Sequence, residues 1–201
     1  MKGGPNSFNE KQTGLGLRPD NRRCLTVILL LSSFIVFLTF ARAQTGAPPE
    51  YELKVAWLKS LLEEVEWPSH GLPSRTDAFT IGVLGKNNFG DSITVLGEKT
   101  VKGRRIVIKY VEEPSECHEC QVVFVSASEK ERLPQILETL KRTPVLTVGE
   151  IPGFAEKGGI VNLIVRGNGI RTEINHLAAQ RSGFTFSSRL LQNIKVKLVG
   201  S

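Results

Sequence analysis

Residues 121–148 read QVVFVSASEKERLPQILETLKRTPVLTV. The continuous apolar run at 122–125 is typical of a strand that is buried on both faces. The residues from Ser126 onward offer a helix cap, and 129–141 carries apolar residues at helical spacing: Leu133, Ile136, Leu137 and Leu140. A second apolar run at 145–148 predicts the next strand of the sheet. A strand, a helix and a strand in this order favour a parallel sheet with helices on both faces.

One amphipathic helix is predicted upstream of this unit. Five apolar residues recur at spacings of 4, 3, 4 and 3, which indicates a helix with one apolar face that ends at Trp67 and Pro68: Tyr51, Val55, Leu58, Leu62 and Val65. Four charged residues are expected to lie largely off that face, where they can meet water: Lys54, Lys59, Glu63 and Glu64.

Two further strands are predicted between this helix and residue 121. The first is 79–84, and a turn at 85–90 leads from it into a short helix at 91–96. The turn matches neither the P-loop nor the dinucleotide-binding motif, so we interpret it as a strand-to-helix turn. The second strand is 105–111. Parallel sheets often bind ligands at the carboxyl ends of their strands, so the sequence is also compatible with a small-molecule site there.

The last third of the chain has a different pattern. Strand-like segments at 160–165 and 170–175 flank Arg166-Gly167-Asn168-Gly169, whose Asn and Gly content favours a tight reversal and hence an antiparallel hairpin. Two helices are then predicted, one at 175–182 and one that opens at Ser187 or Ser188 with three residues turned inward: Leu190, Leu191 and Ile194. The predicted fold is a three-layer α/β sandwich with a mostly parallel central sheet and a C-terminal antiparallel hairpin.

The first 43 residues have the features of an export signal. Basic residues precede an apolar run from Cys24 to Phe40, and Ala41-Arg42-Ala43 places small side chains where a signal peptidase cleaves. We expect cleavage before Gln44, a leader at 44–50 and a single domain at 51–199. The alternative is an uncleaved N-terminal anchor, because a run of about 17 residues is at the lower limit for spanning a bilayer.

The charge balance argues against a nucleic-acid partner. The whole chain has 26 Lys and Arg against 20 Asp and Glu, a formal charge of +6. Removal of residues 1–43 takes away six basic and two acidic residues, which leaves +2. Acidic and basic residues then alternate along the chain instead of forming a basic stripe, as in 129–132. We therefore expect no nucleic-acid binding.

Cys117 and Cys120 are the two cysteines outside the predicted signal. An even pair in an exported chain is a natural disulfide candidate, although so short a ring contributes only about 2 kcal/mol in chain-entropy terms. A redox-responsive switch and a metal half-site that includes His118 are the other two interpretations.

No sequence motif indicates catalysis. The chain has no nucleophile elbow, no helical His-Glu-x-x-His motif and no carboxylate pair marked by its spacing. The three histidines follow no pattern. We expect a protein that is not an enzyme and that holds no cofactor and no metal.

Several segments together resemble the YfiR family. Val55-Ala56-Trp57-Leu58 leads to Val65-Glu66-Trp67-Pro68, and the most specific match is Gly158-Gly159-Ile160-Val161-Asn162-Leu163 followed by Arg171-Thr172-Glu173-Ile174-Asn175 and Ser187-Ser188-Arg189-Leu190-Leu191. The order and spacing hold over about residues 51–196. Members of that family are periplasmic α/β proteins, and the best-known one represses an inner-membrane diguanylate cyclase by binding its periplasmic sensor domain.

The resemblance implies control of cyclic-di-GMP, and so of biofilm formation, from the periplasm. The implied partner is an inner-membrane diguanylate cyclase or another membrane sensor. An outer-membrane or peptidoglycan-associated lipoprotein and a second copy of the chain are further candidate partners. The resemblance also implies dependence on disulfides, as in the best-known member. The alternative hypothesis is a periplasmic receptor that binds a small molecule at the strand ends.

The predicted partner-binding residues lie in the C-terminal half. Strand alternation places Arg171, Glu173 and Asn175 on one face and Ile170, Thr172 and Ile174 on the other. Phe154, in the loop at 150–157, is either an exposed anchor for a partner or a core residue. The full set combines these residues with the most specific family match: Phe154, Gly158, Gly159, Asn162, Arg171, Glu173 and Asn175.

Overall fold

A computed structural model describes residues 49–68, 72, 78–141, 143–167 and 169–200. The predicted signal peptide at 1–43 and most of the predicted leader lie outside these residues. The first helix begins at Pro49, which is inside the stretch predicted as a leader. Within the described ranges, no helix has the length and apolar character needed to cross a membrane.

The described part of the chain contains ten strands and five α-helices. The strands are β1 (Val65–Glu66), β2 (Phe79–Leu84), β3 (Thr100–Val101), β4 (Arg104–Val111), β5 (Val122–Val125), β6 (Leu146–Gly149), β7 (Val161–Arg166), β8 (Gly169–Asn175), β9 (Thr185–Phe186) and β10 (Val196–Val199). The helices are α1 (Pro49–Glu64), α2 (Thr94–Gly97), α3 (Leu133–Leu140), α4 (His176–Arg181) and α5 (Ser188–Leu191).

Eight of these strands form one sheet in the order β10-β8-β7-β6-β5-β2-β4-β3. The run from β4 through β2, β5 and β6 to β7 is parallel, and β8 pairs with β7 in the antiparallel direction. The predicted three-layer architecture and the C-terminal hairpin are confirmed. β1 and β9 form a separate antiparallel pair.

The core lies on both faces of the sheet, because successive side chains of a strand point to opposite faces. In β5, Val122 and Phe124 join the apolar cluster under α1, whereas Val123 and Val125 join the cluster under α3. All four side chains are buried, which agrees with the continuous apolar run in the sequence. Burial of both faces also explains why parallel pairing is stable here.

The apolar face of α1 is confirmed, but two of the four charged residues are less exposed than the sequence predicts: Lys54, and Glu64, whose side chain is 11% exposed. Val55, Leu58 and Leu62 are buried, and Lys59 and Glu63 are exposed. Lys54, expected to meet water, is only 3% exposed. The prediction was wrong for Lys54 because this lysine pairs with Glu50 of the same helix and with Glu150 at the end of β6, and these two carboxylates compensate for its burial.

The end of the chain also differs from the prediction. The second C-terminal helix stops at Leu191, and the chain then forms β10, which pairs in parallel with β8 at the edge of the sheet. Ile194, expected to point inward, is 91% exposed. Its position in the connection between α5 and β10 removes it from the buried helix face.

Candidate functional site

The candidate site lies at the carboxyl ends of the central parallel strands. β4 pairs with one side of β2 and β5 pairs with the other, so the strand order reverses at β2. Such a switch point is where open α/β sheets most often form a ligand-binding crevice. Three polar residues follow the strands there: Asn88 after β2, Ser126 after β5 and Glu150 after β6.

Glu150 is the centre of a buried polar cluster. Its Oε2 atom lies 2.5 Å from Lys54 Nζ, and both side chains are 3% exposed. Its Oε1 atom accepts hydrogen bonds from the Ala127 backbone N–H at 2.9 Å and from the Tyr51 hydroxyl at 3.3 Å. Lys54 Nζ donates a second bond to Glu50 Oε1 at 2.5 Å and lies 4.3 Å from the centroid of the Tyr51 ring. The cluster therefore joins α1 to the ends of β5 and β6.

The protonation states in the cluster follow from these contacts. Burial alone would lower the pKa of Lys54, but hydrogen bonds to Glu150 and Glu50 outweigh it and raise that pKa above its ordinary value. Burial and the nearby Glu150 carboxylate raise the pKa of Tyr51. Lys54 is thus charged and Tyr51 protonated at neutral pH. Each of the two groups donates a hydrogen bond to the Glu150 carboxylate.

A cavity of about 370 Å³ adjoins the cluster. It opens beyond the end of β6, beside the part of β7 that extends past it, and Lys54 and Glu150 form part of its wall. Three further carboxylates and one arginine line it: Glu50, Glu156, Glu173 and Arg166. The cavity lies at the carboxyl edge of the sheet, where the sequence allows a small-molecule site, but beside β6 and β7 and not beside the 85–90 turn.

Phe154 lies in the core. Its side chain is fully buried, and it fills space that two glycines leave free. A Cβ atom on Gly149 would lie 2.5 Å from the Phe154 ring, and one on Gly159 would lie 2.0 Å from it. In this conformation the ring cannot anchor a partner. Gly158 is exposed and adopts a φ of +110°, which favours glycine.

The remaining predicted site residues lie along β7 and β8. Asn162 is fully buried and donates to Glu173 Oε2 at 3.3 Å, while Glu173 Oε1 lies 3.5 Å from Lys197 Nζ. Asn175 caps α4, because its Oδ1 accepts from the Ala178 N–H at 2.8 Å. Its Nδ2 donates to the Ala155 carbonyl at 2.7 Å. Arg171, in contrast, is exposed.

These contacts show which predicted residues the fold brings together. Asn162 pairs with Glu173 across the hairpin, and Phe154 packs on Gly159. Glu173 forms its ion pair with Lys197 of β10, not with Arg171. Ile170, Thr172 and Ile174 are buried on the opposite face, as strand alternation predicts.

Both cysteines are buried, and they are free thiols in this structure. Cys117 belongs to a 3₁₀-helix at Pro114–Glu119, and Cys120 follows it. The hydrogen bond between the two sulfur atoms raises the pKa of Cys117, and burial adds to this rise. The same bond lowers the pKa of Cys120. Among the described residues, no group of three or more His, Cys, Asp or Glu side chains could hold a metal ion.

The sequence matches the model of one protein family over residues 51–193, the family described as DUF4154: YfiR/HmsC-like. The chain belongs to the YfiR/HmsC-like family. The match includes α1, the central strands, the hairpin and α5, so it covers almost all of the described fold. No curated protein matches the chain.

Solved structures share the fold of this YfiR/HmsC-like chain at low sequence identity. A conserved domain protein from Vibrio cholerae is 13% identical, with a TM-score of 0.52 over 74% of this chain and 60% of that one. The ABC domain in complex with L-Trp from Streptococcus pneumonia is also 13% identical, with a TM-score of 0.51 over 75% and 60%. This chain therefore spans less than two thirds of the length of either structure.

Sequence reasoning missed the polar cluster of this YfiR/HmsC-like domain. Lys54 lies three residues after Tyr51 and four before Leu58, so helical spacing does place it beside the apolar face. Glu150 directly follows a buried strand at the edge where ligands bind in such sheets. Each of these two signals is weak by itself. The cluster forms only because the fold brings Lys54 and Glu150, which are 96 residues apart, into contact.

Proposed function

We propose that this chain is an exported, non-catalytic regulatory protein. It represses an inner-membrane sensor, a diguanylate cyclase, by binding the periplasmic domain of that sensor, and it thereby controls cyclic-di-GMP and biofilm formation. The observation that carries the proposal is the YfiR/HmsC-like match over residues 51–193.

The polar cluster is consistent with a binding protein. Lys54 and Tyr51 each donate a hydrogen bond to Glu150, and burial keeps Lys54 and Glu150 from water. A catalytic base or nucleophile needs a reactive group that faces a substrate. The cluster instead ties α1 to the strand ends, so its role is to fix the shape of a surface that a partner recognises.

The proposed docking surface is the exposed side of the C-terminal hairpin. Arg171 presents a charge there, and Gly158 is also exposed. The buried members of the predicted set are expected to hold this part of the fold in shape, not to contact the partner: Phe154, Gly159, Asn162, Glu173 and Asn175. Binding represses the sensor only to the extent that this surface favours the inactive conformation over the active one.

Deletion and complementation in the native host test this function. Loss of the gene should raise cyclic-di-GMP, the intact gene should restore it, and the protein should co-purify with a membrane diguanylate cyclase. Arg171→Glu should weaken repression, whereas Lys130→Glu, the same charge reversal at another exposed site, should not. Unchanged cyclic-di-GMP in the deletion strain, together with no captured membrane protein, would contradict the proposal.

The second candidate function is that of a small-molecule receptor. The observation that favours it is the cavity of about 370 Å³ at the carboxyl edge of the sheet. A thermal-shift screen against envelope metabolites separates the two functions. A ligand at 100 times its dissociation constant should stabilise the protein by about 2.7 kcal/mol. Glu156→Gln, which alters an exposed wall residue, should reduce the shift.

A further inference from the structure

A larger cavity lies at the opposite edge of the sheet. It has a volume of about 590 Å³ and lies between α3 and α4, beside the amino end of β6. Its apolar floor consists of Leu140, Val145 and Ile160, each no more than 3% exposed. Leu177 of α4 adds an apolar wall and is 41% exposed. The volume is in the range of small-molecule sites, about 300–1,000 Å³.

The rim of this cavity is basic. Lys141, Lys157 and Arg181 line it, against a single carboxylate, Glu138. Glu138 lies 3.4 Å from Lys141 Nζ, so it offsets only one of the three charges. The side chains of Lys157 and Arg181 form no hydrogen bond or ion pair within the described part of the chain. Two positive charges thus face the cavity without a described partner.

Helix ends account for part of this charge, but not for all of it. Lys141 follows the last turn of α3 and Arg181 belongs to the last turn of α4, positions that favour a cation. Lys157 lies in the turn before β7 and belongs to no helix. The helix ends therefore do not explain why Lys157 lines the same apolar cavity as Arg181.

Two buried polar residues among those described, Thr147 and Asn175, line the cavity. Asn175 is already hydrogen-bonded to Ala155 and Ala178. Thr147 is 5% exposed and lines it, and its Oγ1 accepts a hydrogen bond from the Ile160 N–H at 2.9 Å. Within the described residues, the Thr147 hydroxyl donates its own hydrogen to no acceptor. A hydroxyl donor, two cations and an apolar floor together match a ligand with an anionic head and an apolar body.

We propose that this cleft binds a small amphiphilic carboxylate. The apolar body of the ligand lies on Leu140, Val145 and Ile160, and its carboxylate pairs with Lys157 and Arg181. Charge-assisted hydrogen bonds of this kind are stronger than neutral ones, which makes the head group selective for anions. The site is separate from the crevice beside Glu150. Its lining includes Gly158, which is also part of the proposed docking surface, and Asn175, which is another of the predicted partner-binding residues, but carboxylate binding does not depend on the proposed repressor function.

Calorimetric titration of the purified protein tests the ligand class. Sodium decanoate is the probe, decyltrimethylammonium has a similar chain with the opposite charge, and inorganic phosphate is an anion without an apolar body. Decanoate should bind and raise the melting temperature, and its affinity should fall as salt is added. The other two should not bind. Equal binding of decanoate and decyltrimethylammonium, or of decanoate and phosphate, would overturn the proposal.

Substitutions locate the site. Lys157→Glu and Arg181→Glu should each weaken decanoate binding about tenfold or more, because each replaces an attraction with a repulsion. Lys130→Glu makes the same charge change on an exposed residue that does not line the cleft, and it should bind decanoate like the unmodified protein. Without ligand, Lys157→Glu and Lys130→Glu should melt like the parent, since their side chains are exposed, whereas Arg181→Glu should melt slightly lower, because it places an anion in the last turn of α4. Unchanged affinity in both cleft variants would overturn the proposal.

Discussion

Lys54 and Glu150 are 96 positions apart in the sequence, and their Nζ and Oε2 atoms lie 2.5 Å apart with both side chains almost completely buried. This ion pair joins the first helix to the end of β6. Removing one residue of a buried ion pair is costly, because the remaining charge loses its partner and is not reached by water. The pair therefore makes α1 dependent on the carboxyl edge of the sheet.

Lys54→Met should lower the free energy of unfolding by about 3–5 kcal/mol, since it leaves the Glu150 carboxylate buried without its main partner. Urea denaturation monitored by circular dichroism measures the change. Lys59→Met alters an exposed lysine of the same helix and should change the free energy by less than about 0.5 kcal/mol.

The double variant Lys54→Met with Glu150→Gln should recover much of that loss. A glutamine at 150 keeps an oxygen that can accept from the Ala127 N–H, and it carries no charge. Double-mutant analysis then isolates the interaction between the two residues. Additive effects of the two single substitutions would show that the ion pair does not couple them.

Stability should fall at alkaline pH. The pKa values of Lys54 and Tyr51 are both raised in the folded protein, so the folded state holds these protons more tightly than the unfolded chain does. Their contribution is complete below the unfolded values, about 10 for Tyr and about 10.4 for Lys, and it is lost as the pH rises through the folded values. Urea unfolding at a series of pH values from about 7 to 11 measures it.

The comparison for this pH dependence is the double variant at Lys54 and Glu150. It lacks the lysine that titrates and the carboxylate that raises the pKa of Tyr51, so its stability should fall less steeply at alkaline pH. The same slope in both proteins would show that other groups cause the alkaline loss.

Gly159→Ala should destabilise the domain by about 1–3 kcal/mol, because the added Cβ would lie 2.0 Å from the Phe154 ring. Phe154→Leu in the same chain should relieve part of this cost by removing the ring. Gly169→Ala is the control, since a Cβ there meets nothing within 4 Å. Thermal denaturation measures all three, and equal melting temperatures for the two alanine variants would contradict the proposed packing.

Cys117 and Cys120 should form a disulfide when the protein is exported to an oxidising compartment. Mass spectrometry after alkylation should find no free thiol in protein purified from that compartment without reductant. Reduction should then cost no more than about 2 kcal/mol of stability, because the closed loop is short. Alkylation of both cysteines in the unreduced, unfolded protein would contradict the bond.

Much of the fold could be predicted because its signals are local. The spacing of apolar residues predicted the buried face of α1, and the Asn and Gly content of 166–169 predicted the hairpin of β7 and β8. The apolar run of β5 predicted a strand buried on both faces. Each of these features depends on residues within one or two turns or strands, so the pattern and the structure coincide.

The sequence alone determined the class of fold, the order of its elements and the resemblance that identifies the family. The tertiary structure decided which side chains meet. It placed Lys54 beside Glu150, set Phe154 against Gly149 and Gly159, and added β10 to the edge of the sheet. The physical reason is that periodicity reports only which face of an element is apolar, whereas the partner of a buried charge or ring is set by segments that are distant in the chain.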